Sequence, residues 1–214
     1  MNNSELFKLI DHTKLAATST LDEIRTLCNE AVKFGTASVC IPPCYIETVK
    51  SEFPKLNICT VIGFPLGYST TACKVFETKD AVEKGADEID MVINLCFVKN
   101  NEYDKVLSEI KAIKEACGNK LLKVIIETCY LSEDEKIKLC ELVTEAKAEF
   151  IKTSTGFGTA GAKPEDIVLF KEHIGENVKI KAAGGIRTKE DILNYAELGC
   201  SRIGASSAIK ALNE

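Results

Sequence analysis

Two lysines close short apolar runs in this chain, Lys152 after Phe150-Ile151 and Lys181 after Val178-Lys179-Ile180, and a stretch poor in bulky side chains follows each. A charged amine is costly to bury, so each lysine is either a solvated strand cap or a group held in place to react. Asp11 in IDHT and Asp90 in EIDMVIN end comparable runs. Two amines and a carboxylate around one opening can carry out Schiff-base chemistry. An amine attacks a carbonyl only when unprotonated, and a neighbouring cation with partial desolvation brings a lysine from about 10.4 toward roughly 7–8. One lysine then attacks, the other supplies the cation, and the aspartate relays protons between water and substrate. No metal and no cofactor is needed, which suits a chain with only His12 and His173 as imidazoles.

A second constellation is rich in glycine. Ala183-Gly184-Gly185-Ile186-Arg187-Thr188 follows the Lys181 run, and Gly204-Ala205-Ser206-Ser207 leads into the last helical pattern. Glycines let backbone N–H groups approach an anion, and a helix start favours negative charge. Each segment alone reads equally well as a capped helix start. Together they point to a phosphorylated substrate.

These residues need a scaffold that brings distant strand ends to one mouth. Apolar β-type runs lie at 10–13, 38–41, 58–62, 88–93, 122–126, 150–152, 178–182 and 201–204. Helical patterns lie between and after them, at 21–34, 44–52, 71–84, 102–116, 133–146, 164–173, 189–198 and 206–212, with a small helix before the first strand. Ser132-Glu133-Asp134-Glu135 has the spacing of a capping box, and Pro164 suits a first helical turn. Gly35, Gly85, Gly118 and Gly199 sit where helices end. Eight strands alternating with helices predict a parallel sheet, and eight is the number that closes into a (β/α)8 barrel spanning 1–214. An open doubly wound sheet is the alternative. Alternation in EIDMVIN sends Ile89, Met91 and Ile93 to one side and Glu88, Asp90, Val92 and Asn94 to the other. In LLKVIIET the same parity groups Lys123 with Glu127. The apolar sets should face the helices and leave the polar sets inside the barrel. Lys179 shares parity with Lys181, so either it lies low in the barrel on a carboxylate or its strand begins at Ile180.

Composition narrows the function classes. A chain 45% hydrophobic and 28% charged has material for a soluble core, and a net charge of −5 argues against nucleic acid or a membrane surface as partner. MNNSELFKLI lacks the basic then apolar order of a signal peptide, and no apolar run approaches the roughly 20 residues of a membrane span. A cytoplasmic protein is expected. The ten cysteines occur singly, with no C-x-x-C pair, and read as reduced, buried thiols.

FIKTSTGFG (150–158), KAAGGIRT (181–188), DEIDMVIN (87–94), IDHTKL (10–15) and GASS (204–207) closely resemble the deoxyribose-phosphate aldolase family, a likeness running from Ile10 to Ser207. The resemblance implies a metal-free class I aldolase on a (β/α)8 barrel. Such an enzyme cleaves 2-deoxy-D-ribose 5-phosphate to D-glyceraldehyde 3-phosphate and acetaldehyde in deoxyribonucleoside breakdown. It implies Lys152 as the Schiff-base lysine, with Asp90 and Lys181 as the proton donor and acceptor. Substrate binding would fall to Asp11, Thr155, Gly156, Gly184, Gly185, Gly204, Ser206 and Ser207, and the working form would be a homodimer or larger homo-oligomer. Two other readings make different predictions. A transaldolase or epimerase on the same barrel would refuse free acetaldehyde or respond to chelators. A barrel that only binds sugar phosphate would never form an imine.

Overall fold

The computed structural model describes residues 1–213. Its eight strands are β1 (Ile10–Thr13), β2 (Ser38–Ile41), β3 (Ile58–Ile62), β4 (Glu88–Val92), β5 (Leu121–Ile125), β6 (Phe150–Lys152), β7 (Lys179–Ala183) and β8 (Arg202–Ala205). They pair in chain order, every neighbour parallel, and β8 returns to β1. The barrel is closed, which removes the open-sheet alternative. The helices are α1 (Asn3–Phe7), α2 (Leu21–Phe34), α3 (Ile46–Glu52), α4 (Thr71–Glu83), α5 (Leu95–Lys99), α6 (Tyr103–Cys117), α7 (Glu133–Glu145), α8 (Pro164–His173), α9 (Lys189–Glu197) and α10 (Ala208–Asn213). None of them is long and apolar enough to cross a membrane.

Local chemistry accounts for most of these elements. α2 buries Ile24, Leu27, Cys28 and Ala31, one stripe at helical spacing. Thr20 and Glu23 cap its start reciprocally, and Gly35 ends it at φ 69°. Ser132 and Glu135 form the capping box expected of α7. Strand limits fall within one residue of the sequence pattern. The pattern misses α5, because five residues directly after β4 complete too few turns to show a period. Its start is fixed by the Asn94 side chain, which accepts from the Cys96 N–H at 3.0 Å.

The core has two shells of opposite character. Outward strand residues such as Ile10, Val39, Ile89, Met91, Leu122, Val124 and Ile151 pack with the helices in one apolar cluster. The alternate residues turn into the barrel, and there Asp11, Ser38, Glu88, Asp90, Lys123, Lys152, Lys181 and Arg202 are all buried. A barrel interior is ordinarily packed with branched apolar side chains. Here it is an ionic lattice. Lys179 is exposed at the foot of β7, its ammonium 5.9 Å from the Phe150 ring centroid. It does lie low, on an aromatic face rather than on the expected carboxylate.

A buried ion pair anchors the end of β4, two residues beyond Asp90. Lys74 of α4 donates to the Val92 carbonyl at 2.8 Å and to Glu109 of α6 at 2.9 Å, and Glu109 accepts from the Asn94 N–H at 2.9 Å. Both side chains are fully buried. Lys74→Met should therefore destabilise the fold by about 3–5 kcal/mol, since it strands the Glu109 charge. Lys74→Met with Glu109→Gln should recover most of that loss. Urea unfolding of both variants checks it, and equal losses would show that the pair's charge is irrelevant.

Candidate active site

Lys152 is the last residue of β6, and its register partner on β7 is Lys181. Their ammonium groups converge on one atom, Asp90 Oδ2, at 2.7 Å each. Asp90 comes from β4, and its other oxygen accepts from Lys123 of β5 at 2.8 Å. Below them Lys123 also reaches Glu88 at 2.6 Å. Arg202 binds Glu88 through both terminal nitrogens, at 2.8 and 3.0 Å, and donates to Asp11. Asp11 also accepts from Lys181 and, at 2.7 Å, from the Ser38 hydroxyl. Counted as ions, three carboxylates face four bases. Loss of one proton leaves the lattice neutral, and Lys152 is the lysine that borders the open cavity.

Electrostatics separates the other members. Burial pushes the Asp90 carboxyl upward, but Lys123, Lys152 and Lys181 outweigh it and hold the group well below the usual carboxylate range. Asp11 is likewise held low, with burial opposed by Lys181, Lys123 and Arg202. Lys181 is pushed the other way. Burial disfavours its charge, but Asp11 and Asp90 raise it above the ordinary lysine value. Lys181 is thus a standing cation and Asp90 a standing anion.

Above the lattice lies a cavity of about 240 Å3, lined by Thr13, Leu15, Lys152, Thr155, Gly156, Ala183, Gly184, Gly185, Ile186, Arg187, Gly204, Ala205 and Ser206. Lys152, only 3% exposed, separates it from Asp90 and Lys181, which are fully buried. Gly184 and Gly185 have φ of 84° and 78°, a region other residues rarely enter. The loop after β6 approaches them backbone to backbone, since a Cβ on Gly161 would lie 2.2 Å from the Gly184 carbonyl oxygen. Thr155 is held by Glu127, whose carboxylate accepts from the Thr155 N–H at 3.1 Å and from its hydroxyl.

A scan against family models matches residues 6–213 to the DeoC/LacD family aldolase model. The chain belongs to the DeoC/LacD family of aldolases. It is similar to the deoxyribose-phosphate aldolase of Clostridium botulinum (strain Eklund 17B / Type B), 59% identical over 213 residues that cover 99% of this chain and 96% of that one. Among solved structures, the aldolase QR15 superposes with a TM-score of 0.94 at 39% identity, covering 98% of this chain and 95% of its own. The deoxyribose phosphate aldolase of Aeropyrum pernix, described as a unique tetramer, gives 0.91 at 29%, with 99% and 91% covered.

Within this DeoC/LacD aldolase, Lys152, Asp90 and Lys181 meet, and Thr155, Gly156, Gly184, Gly185, Gly204 and Ser206 line one cavity with Lys152. Asp11 and Ser207 do not line it. Asp11 lies beneath Lys181 with both oxygens occupied, and the Ser207 hydroxyl turns to the Arg187 carbonyl at 3.3 Å. Sequence reading passed over Arg202 and Arg187. Strand parity shared with Gly204 could have placed Arg202 inside the barrel; Arg187 sits within the quoted glycine motif and needed only its cationic charge noticed. The cysteine expectation needs correcting in part. All ten are free, but Cys44, Cys73 and Cys96 are exposed and Cys129 is half-buried. Asp90 with Cys40 and Cys59, and Asp11 with Cys59 and Glu88, lie close enough to share an ion. Lys123, 2.8 Å from Asp90 and 3.2 Å from the Cys59 sulfur, already supplies the positive charge there.

Proposed function

We propose that this chain cleaves 2-deoxy-D-ribose 5-phosphate to D-glyceraldehyde 3-phosphate and acetaldehyde, and runs the reverse addition, through a Schiff base on Lys152. One observation carries the reading: a lysine at the floor of a cavity shares one carboxylate oxygen with a second lysine that its surroundings keep charged. The unprotonated Lys152 amine attacks the C1 aldehyde of the open-chain sugar, and loss of water leaves an iminium ion. Asp90, freed from the Lys152 ammonium, takes the C3 hydroxyl proton with Lys181 beside it. The C2–C3 bond electrons move into the iminium, and glyceraldehyde 3-phosphate leaves. Lys181 and Asp90 return a proton to C2 of the enamine, and water releases acetaldehyde. Borohydride reduction in the presence of acetaldehyde, followed by peptide mass mapping, tests this: an ethyl group is expected on Lys152. A label on Lys181 or Lys123 overturns the assignment.

The phosphate end is assigned to the Gly184-Gly185 and Gly204-Ser206 segments, with Arg187 as the cation on the same wall. Gly185 is the clean place to test it, because a Cβ there meets nothing within 4 Å, whereas one on Gly204 lies 3.3 Å from Lys181 Cε. Gly185→Asp should raise KM for the phosphorylated sugar by roughly tenfold or more, about 1.4 kcal/mol, while free deoxyribose is little affected. Gly185→Asn controls for the backbone strain. Steady-state kinetics on both sugars decides, and equal losses on the two would assign the loop to folding.

Self-association belongs to the same proposal. Leu66, Tyr68 and Phe76 leave 58, 64 and 75% of their surfaces exposed, and the similar A. pernix aldolase is described as tetrameric.

A further inference from the structure

Two thiols occupy the barrel interior beside the lysine lattice without a part in the mechanism above. Cys40 of β2 and Cys59 of β3 are direct register partners on adjacent parallel strands. Both are fully buried, and with Val61 they form a small cluster apart from the main core, covered by the half-buried Leu15 and Phe64. Their sulfurs lie within 4.8 Å of each other and of an Asp90 oxygen. Strands pair at about 4.8 Å, inside the Cα separation of roughly 4.4–6.8 Å that a disulfide spans. Cys59 donates to Asp90 Oδ1 at 3.1 Å and accepts from Lys123 at 3.2 Å.

We propose that Cys40 and Cys59 are an oxidative modification site, forming a reversible disulfide under peroxide that disables the lysine centre. The two sulfurs differ in character. Cys59 has its S–H committed to Asp90 Oδ1 and its sulfur facing the Lys123 ammonium. Burial first, then Cys40 and Asp90, push the Cys59 thiol up. With Cys59 engaged by both Asp90 and Lys123, Cys40 is assigned as the attacking sulfur and Cys59 as the resolving one. Peroxide is water-sized, and Leu15, which forms part of the cavity wall as well as the cover of the thiol pair, is the side chain it would have to pass.

The chemistry closes on two steps. The Cys40 thiolate attacks a peroxide oxygen: an S–O bond forms, the O–O bond breaks, and the hydroxide takes up the thiol proton as water. Sulfur has given up two electrons to the peroxide. Cys59 then attacks the Cys40 sulfenic sulfur, an S–S bond forms, the S–O bond breaks, and hydroxide leaves as a second water with the Cys59 proton. Two thiols and one hydrogen peroxide become one disulfide and two waters. The product lacks the S–H that Asp90 Oδ1 receives, and it draws the sulfur away from Lys123. Asp90 is thereby shifted from the position where it serves Lys152 and Lys181.

The full chain, reduced and then exposed to graded hydrogen peroxide with a catalase quench, supplies the test. Non-reducing peptide mapping after thiol blocking should find Cys40 linked to Cys59. Aldol cleavage should fall on the order of tenfold in step with that linkage, and dithiothreitol should restore both. A variant with Cys44, Cys73 and Cys96 all replaced by alanine should keep the response, and Cys59→Ala should lose the dithiothreitol-reversible part. The activity readout rests on the aldolase reading, but the mapped linkage does not, so the two can fail separately. If Cys59→Ala does not fold, mapping of the unaltered chain still decides. Inactivation without the Cys40–Cys59 link, or the link without loss of activity, overturns the proposal.

Discussion

Replacing Lys152 with leucine should reduce aldol cleavage by on the order of 10^4-fold or more and abolish imine trapping with it. The size of the effect follows from what the side chain does. Every bond change in the proposed sequence depends on a nitrogen that becomes an iminium, and leucine can supply none. The substitution is also mild structurally, because Lys152 ends its strand facing the cavity, and its ion-pair partner, Asp90, keeps Lys123 and Lys181. Folding should survive, and circular dichroism with urea unfolding can confirm it. Lys123→Met is the instructive comparison. It removes a lysine equally close to Asp90 but sealed below the cavity floor, so borohydride should still label Lys152. A Lys152→Leu enzyme that retains more than about a hundredth of its activity, folded and unlabelled, would rule out the Schiff base.

Lys181→Leu should slow the reaction by roughly 10^2–10^4-fold and move the acidic limb of kcat/KM to higher pH. The direction follows from the shared oxygen. Lys181 neutralises part of Asp90, and with it gone the carboxylate holds the remaining ammonium at 2.7 Å more firmly, so more base is needed to free the amine. The limb does not belong to Asp90 or Asp11. Both are held below the usual carboxylate range and stay ionised as pH falls through the ordinary values for acids. Asp90→Asn removes the anion instead, so its limb should not move upward; proton transfer should slow while some imine still forms. Borohydride trapping of acetaldehyde across pH reads both variants. An unmoved midpoint in Lys181→Leu would leave that lysine as a proton carrier only.

Much of this was legible because it is local. Period-2 alternation decides which face of a strand a residue takes, and that alone put Asp90 and Glu88 on one side and Lys123 with Glu127 on another before any strand was paired. Caps at Ser132 and Gly35 act within four residues, so helix limits followed from short stretches of chain. The lysines with their small-residue loops, and the motifs around them, carried the chemistry and the family. What tertiary structure alone decided is which charges touch. Closing β8 onto β1 brings Arg202 and Lys181 to Asp11 across 191 and 170 residues, and that contact sets Asp11 beneath Lys181. The register of β6 with β7 sets both lysines on one oxygen of Asp90, and the register of β2 with β3 sets Cys40 against Cys59. Parity names the face a side chain occupies, but its height in the barrel and its neighbour across the strands depend on stagger and closure, which are properties of the whole sheet.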